Sequence, residues 1–223
     1  MKKSLILIMV IFSLFLVGCD KNNGALSFKK EYESINGETN KNGKQHRSVT
    51  IDDDNPYEKV DASEIVKKIE NKETFYVYFG DKLCPWCRSV IEKSIEIAKK
   101  NNIKKIYYVS IWNDEGEEIL RDKYEIVDKE LKKTIEGTSD YKKLLEKFDN
   151  LLEEYNVTDS EGNKVSTNEK RIFAPNYIYV ENGNPTKITT GISEKQTDSR
   201  EELTKEILED EEKLFNDFFK NSK

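Results

Sequence analysis

Tyr78-Phe79-Gly80-Asp81-Lys82-Leu83-Cys84-Pro85-Trp86-Cys87-Arg88 is the stretch on which the fold turns. The apolar run before it, Phe75 to Phe79, has the aromatic and β-branched content of a buried strand. After it, Val90, Ile91, Ser94, Ile95 and Ala98 recur at helical spacing. Cys84-x-x-Cys87 therefore stands where a strand ends and a helix begins, with Cys84 near the helical N-terminus. Unpaired backbone N–H groups and the positive end of the helix dipole favour a thiolate over a thiol at such a place. The three-residue offset brings two sulfurs within disulfide range in a single helical turn. Pro85 fixes φ and lacks an N–H, which suits the first turn, and Trp86 sets an apolar surface beside the sulfurs. The pair reads as a redox dithiol.

Working outward, the helix runs to about Lys100, and Ile103 to Trp112 is rich in Ile, Tyr and Val and reads as the next strand. Strand, helix, strand implies a right-handed crossover and a parallel pair. Upstream, Asp61-Ala62-Ser63-Glu64 resembles a capping box, and Ile65, Val66 and Ile69 give its helix an apolar face. Downstream, Leu120, Tyr124, Val127 and Leu131 recur at 4-3-4 spacing. A second run follows Gly137 through Tyr141, Leu144, Leu145, Phe148, Leu151, Leu152 and Tyr155. Both predict helices over about 114–155, packed on a core. Residues 158–169 are polar and turn-like. Ile172 to Val180 then leads into Glu181-Asn182-Gly183-Asn184, a strong hairpin signal, with a partner strand over Thr186 to Thr190. A charged helix with apolar positions at Leu203, Ile207, Leu208, Leu214, Phe215 and Phe218 is expected over about 194–219.

The 223 residues carry a formal net charge of −6, which argues against a nucleic-acid binder, since phosphate neutralisation needs clustered Lys and Arg. At the N-terminus, Lys2 and Lys3 precede an apolar run from Leu5 to Val17, shorter than the roughly 20 residues of a bilayer span. The run ends in Leu16-Val17-Gly18-Cys19, which looks like a bacterial lipobox. That likeness implies a signal peptide over 1–18 and a lipidated Cys19 that anchors the chain to the lipid bilayer at the extracytoplasmic face of the cell membrane. With Cys19 so assigned, only Cys84 and Cys87 remain of three cysteines, so no disulfide framework exists and the pair serves chemistry. Residues 19–57 are rich in Asn, Gly and Asp and read as a polar flexible tether, with a short strand admitted over Ser48–Ile51 and the only histidine, His46, expected in solvent. The folded domain is placed at 58–223.

From about residue 58 onward the chain resembles the thioredoxin-fold family, on three motifs in family order. Phe75–Cys87 is similar to the strand that enters the Cys-x-x-Cys site. Ala174-Pro175 stands where the family has its cis-proline. Val180 to Gly191 is similar to the antiparallel hairpin before the last helix. Within the family, the Cys-Pro-x-Cys-Arg context looks most like small extracytoplasmic thioredoxin-like proteins, including bacteriocin transport accessory proteins. The resemblance implies a three-layer α/β/α sandwich with a mixed central sheet, here enlarged by a helical insertion at about 114–155. It also implies that Ala174 and Pro175 present backbone groups to a substrate peptide. The chain departs from the pattern at Tyr78, where thioredoxins keep a buried aspartate that assists the second cysteine.

The chemistry expected is thiol–disulfide exchange. Cys84 attacks as thiolate, and Cys87 resolves the mixed disulfide. No cofactor beyond the Cys84–Cys87 redox couple is required, and no metal is expected, because a closed zinc site needs four ligands and no second cysteine pair exists. Substrates would be cysteine-containing secreted or membrane proteins. Trp86 offers no charge to a thiolate, and the reductase or isomerase direction is favoured. A reductase outside the membrane implies a membrane electron donor of the CcdA or DsbD kind. The competing expectation is a non-catalytic thioredoxin-like binding or accessory lipoprotein.

Overall fold

The computed structural model describes residues 23–220, so the expected signal peptide and lipidation site at Cys19 lie outside the described residues. In chain order the elements are α1 (Asn23–Glu33), β1 (Tyr57–Lys59), α2 (Ala62–Glu70), β2 (Phe75–Gly80), α3 (Pro85–Lys100) and β3 (Ile106–Ser110). They continue with β4 (Lys123–Val127), β5 (Glu130–Ile135), α4 (Ser139–Phe148), a 3-10 turn (Asp149–Leu151), β6 (Glu153–Thr158) and β7 (Lys164–Arg171). The chain closes with β8 (Asn176–Glu181), β9 (Asn184–Thr189) and α5 (Lys205–Phe219).

This is a mixed α/β fold around a five-stranded sheet of order β1-β3-β2-β8-β9. β1, β3 and β2 run parallel, β8 is antiparallel to β2, and β9 is antiparallel to β8. Every residue of β2 is buried, as its apolar run requires of a central strand. Side chains alternate across the sheet and build two cores. Tyr76 and Tyr78 of β2, Tyr108 of β3 and Tyr177 of β8 pack beneath α1, α3 and α5. Phe75, Val77 and Phe79, with Val109, Ile178 and Val180, pack against α2 and α4. The β8–β9 hairpin turns on Asn182 and Gly183, both at positive φ (51° and 77°), as its sequence predicts.

Several expectations are corrected. The stretch 19–57 is not a tether over its described part. Ala25, Phe28, Tyr32 and Ile35 form one apolar face of α1 and the turn after it, with Phe28 and Tyr32 fully buried. Val49 and Ile51 are buried too, without forming a strand, and His46 is buried among polar groups instead of lying in solvent. The folded unit therefore begins before residue 58.

The helical insertion over 114–155 is instead a hairpin, one helix and half of a second hairpin. Asp128 and Lys129 take φ of 54° and 66°, and Val127 pairs with Glu130, so a two-residue turn joins β4 to β5. The 4-3-4 apolar spacing there is incidental: Val127 is exposed and Leu131 only half-buried. The second run is helical to Phe148, after which Tyr155 lies in β6. Residues 158–169 hold a turn, but most of them belong to the β6–β7 hairpin. The last helix starts at Lys205, where the Thr204 hydroxyl accepts the Ile207 N–H at 3.3 Å. The segment before it is a series of bends.

Candidate active site

The turn from β2 into α3 is built by Asp81. Its Oδ1 accepts the Leu83 N–H at 2.8 Å, its carbonyl accepts the Cys84 N–H at 3.2 Å, and its Oδ2 accepts the Ser110 hydroxyl at 2.6 Å. Burial pushes the Asp81 carboxyl up to about 6 against the pull of those bonds. Cys84 then serves as the N-cap of α3, with Pro85 at the first helical position. The Cys84 Sγ accepts the Cys87 N–H at 3.3 Å, using one of the free donors of the helix start.

The thiol of Cys84 also points at the other segment singled out from the sequence. It donates to the Ala174 carbonyl at 3.5 Å, and the Ala174–Pro175 peptide bond is cis. So Cys84, Pro85, Trp86, Cys87, Ala174 and Pro175 are gathered at one place, although Cys84 and Ala174 are 90 positions apart. Pro85 and Trp86 are half-buried, Cys84 is 4% exposed and Cys87 is wholly enclosed. Both cysteines are free thiols. Burial and the neighbouring Cys84 push the Cys87 thiol well above its ordinary range.

The inserted hairpins hold the Ala174 side of this site. Glu118 is buried between Arg121 and Arg171, at 2.6 Å and 3.1 Å. Arg121 Nη1 donates to the Ile172 carbonyl at 3.1 Å, Arg171 Nη1 donates to the Asp122 carbonyl, and the Arg171 guanidinium stacks 4.2 Å from the Tyr155 ring. A buried ion cluster of this kind fixes geometry more than it adds stability. Phe173 N–H is taken by Asn176 Oδ1 at 2.7 Å, which completes the backbone entry into β8.

Three contributors escape the sequence reading. Arg88, fully buried, donates to the carbonyls of Tyr32 (2.8 Å), Arg47 (2.6 Å) and Lys82 (3.3 Å) and to Asn36 Oδ1 (2.6 Å). Asn36 in turn brackets the backbone of Val49, accepting its N–H at 3.0 Å and donating to its carbonyl at 2.8 Å. Tyr32 reaches in from α1 and hydrogen-bonds to Tyr78 at 2.8 Å. Helical spacing of Ala25, Phe28, Tyr32 and Ile35 was the signal for this packed segment, and its Asn, Lys and Gly content concealed it. A cleft of about 480 Å³ runs from Glu38 and His46 to Leu83, the residue before Cys84, and to Trp112.

Among the described residues no helix is long and apolar enough to cross a membrane, and no group of three or more His, Cys, Asp or Glu is placed to hold a metal ion. No family model matches the chain, and no curated protein matches it significantly.

Proposed function

We propose that this chain is a thiol–disulfide oxidoreductase of thioredoxin-like architecture, working through Cys84 and Cys87. The observation that carries the reading is the position of the Cys84 sulfur. It caps α3, takes the Cys87 N–H, and lies 3.5 Å from the carbonyl that precedes cis-Pro175. The order of β2, dithiol, α3, cis-proline, β8–β9 hairpin and α5 supports the same architecture.

In the exchange, the Cys84 thiolate attacks one sulfur of a substrate disulfide, forming a mixed disulfide and releasing the first substrate thiolate. Cys87 then loses its proton and attacks Cys84 Sγ. The Cys84–Cys87 disulfide forms, the second substrate thiolate leaves, and each leaving sulfur takes up one proton. Two electrons pass from protein to substrate in the reductase direction, and a membrane dithiol donor would return them. In an isomerisation a substrate thiol displaces Cys84 instead, and no net electrons pass. Anchoring through Cys19 at the outer face of the membrane puts the domain among secreted and membrane proteins whose cysteines are oxidised there.

The test is the reduction potential of the pair, measured by equilibrating the protein in glutathione or dithiothreitol buffers and counting free thiols by alkylation. We expect a reversible two-electron couple near or below about −240 mV. A value above about −180 mV would point to an oxidase or isomerase. Absence of a reversible couple would leave a non-catalytic accessory protein in its place.

A further inference from the structure

We propose that Asp81 is a positioning residue for the exchange: its carboxylate holds the turn that presents the Cys84 sulfur, and the Ser110 hydroxyl is the two-way contact through which that hold answers to a proton. The inference rests on the oxidoreductase reading and deepens it. Asp81 is the first residue past β2 and stands three positions before Cys84. Its side chain closes an Asx turn, with Oδ1 taking the Leu83 N–H at 2.8 Å while its own carbonyl takes the Cys84 N–H at 3.2 Å. One residue thus fixes two successive N–H groups ahead of α3. Cys84 is left in an extended N-cap conformation, φ −73° and ψ 115°. From there its sulfur meets the Cys87 N–H at 3.3 Å and the Ala174 carbonyl at 3.5 Å.

The other carboxylate oxygen faces the neighbouring strand. Gly80 and Ser110 are register partners at the ends of β2 and β3, so Asp81 comes out beside Ser110. Ser110 Oγ lies 2.6 Å from Asp81 Oδ2 and 2.9 Å from the Trp112 carbonyl. A hydroxyl has one proton and cannot serve both acceptors at once. With Asp81 ionised the proton goes to the carboxylate, and 2.6 Å is the length of a charge-assisted O–H···O⁻ bond. When Oδ2 takes up a proton, it donates that proton to Ser110 Oγ, and the Ser110 proton turns to the Trp112 carbonyl. One proton enters from solvent, two donors change direction, and Asp81 and Ser110 stay bonded in both arrangements. What changes is the Leu83 bond, whose acceptor passes from charged to neutral and loses roughly half its strength. The turn under Cys84 loosens in acid.

Solvent has a route to this proton site. Asp81 is only 2% exposed, yet it lines a cleft of about 580 Å³ at the C-terminal ends of the parallel strands. Burial holds its carboxyl up at about 6, while the Ser110 and Leu83 bonds pull it down, so both arrangements are populated close to that pH. Glu31 of α1, which raises it, and Lys59 of β1, which lowers it, are paired with each other at 2.9 Å. Tyr108 of β3 donates to Glu31 at 2.9 Å, and Lys82 is paired with Asp114 of the loop after β3 at 2.6 Å. Tyr32 of α1 also feels the Asp81 charge, and Asp61 before α2, Glu115 after β3 and Asp140 of α4 line the rest of the cleft.

The experiment follows alkylation of Cys84 by iodoacetamide in the reduced full chain across the range on either side of pH 6, with the modified cysteine identified by mass spectrometry. We expect the native rate to carry an inflection at about 6, in addition to the one from the thiol itself. Asp81→Asn imposes the protonated arrangement, since its amide oxygen still accepts from Leu83 and its nitrogen donates to Ser110. It should lose that inflection and react roughly three- to tenfold more slowly than the native protein on the alkaline side, with the gap closing in acid. Ser110→Ala gives an independent reading. It leaves Asp81 ionisable but strips the hydroxyl that favours the ionised form, so the inflection should move to higher pH. Profiles of one shape in the native protein and both variants would overturn the inference. So would faster alkylation of Asp81→Asn, which would make the carboxylate act by its charge and not by its hold on the turn. A native protein without a reversible Cys84–Cys87 couple would bring down the oxidoreductase reading itself, and this inference with it.

Discussion

The hydroxyl of Tyr78 occupies the space above Gly80 where a side chain would begin: a Cβ on Gly80 would lie 2.1 Å from that oxygen and 2.2 Å from the ring carbon bearing it. Two residues apart on one strand face, they are a matched pair, a long phenol and the absence of a side chain.

Gly80→Ala should therefore be costly even though Gly80 has no need of a positive φ. The Tyr78 ring cannot yield, because Tyr177 and Tyr108 stack against it and Tyr57 meets it edge-on at 5.5 Å. We expect about 1–3 kcal/mol of destabilisation from overpacking. Urea unfolding would show a lower midpoint at unchanged slope. An unchanged midpoint would mean that the ring has another place to go.

Arg88 ties the segment after α1 to α3, so its loss should release that segment. Arg88→Met keeps the aliphatic stem but leaves the carbonyls of Tyr32 and Arg47 and the Asn36 side chain without their donor. The expected cost is on the order of 3 kcal/mol, since buried acceptors lose their partner. Limited proteolysis should show new cleavage between residues 34 and 49, while α3 and the sheet stay protected. Cleavage spread evenly over the chain would contradict this local role.

Glu211 makes the stability pH-dependent. It lies on α5, fully buried, and among the described residues neither carboxylate oxygen has a hydrogen-bond partner. Burial pushes its carboxyl up from 4.5 to about 8, opposed by Lys93 and Arg47. Below about pH 4.5 it is protonated in both folded and unfolded chains and has no effect. Between 4.5 and 8 the unfolded chain ionises first, so stability falls as pH rises, by at most on the order of 4–5 kcal/mol. Glu211→Gln should flatten the fall in melting temperature between pH 5 and 8. Asp81, also raised, contributes a fall of the same sign at lower pH, so the flattening is partial. An identical slope in the variant would show that Glu211 ionises as readily in the folded protein as in the unfolded one.

Much of the site could be read in the chain because it is written locally. Cys84 at a strand-to-helix junction, Pro85 at the first helical position and the Asn182-Gly183 turn each depend on neighbours within a few residues. The misread parts have local causes as well. The β4–β5 turn is Asp128-Lys129, without the glycine that usually marks such a loop, so an accidental helical spacing prevailed. The α1 segment kept its 3-4-3 apolar spacing but lay among Asn, Gly and Lys residues that suggested solvent.

By itself, then, the sequence determined the dithiol, the strand and helix that present it, the position of Pro175 and the hairpin after it. Periodicity, capping and turn chemistry act over one or two turns of chain. Only the tertiary structure decided what surrounds the sulfurs. Tyr32, Tyr78, Arg88 and Ala174 meet because two opposed faces of one sheet must each be covered, and α1 was the element available to close the tyrosine-lined face beside α3. Burial of that face is a property of the assembled layers, and no window of sequence contains it.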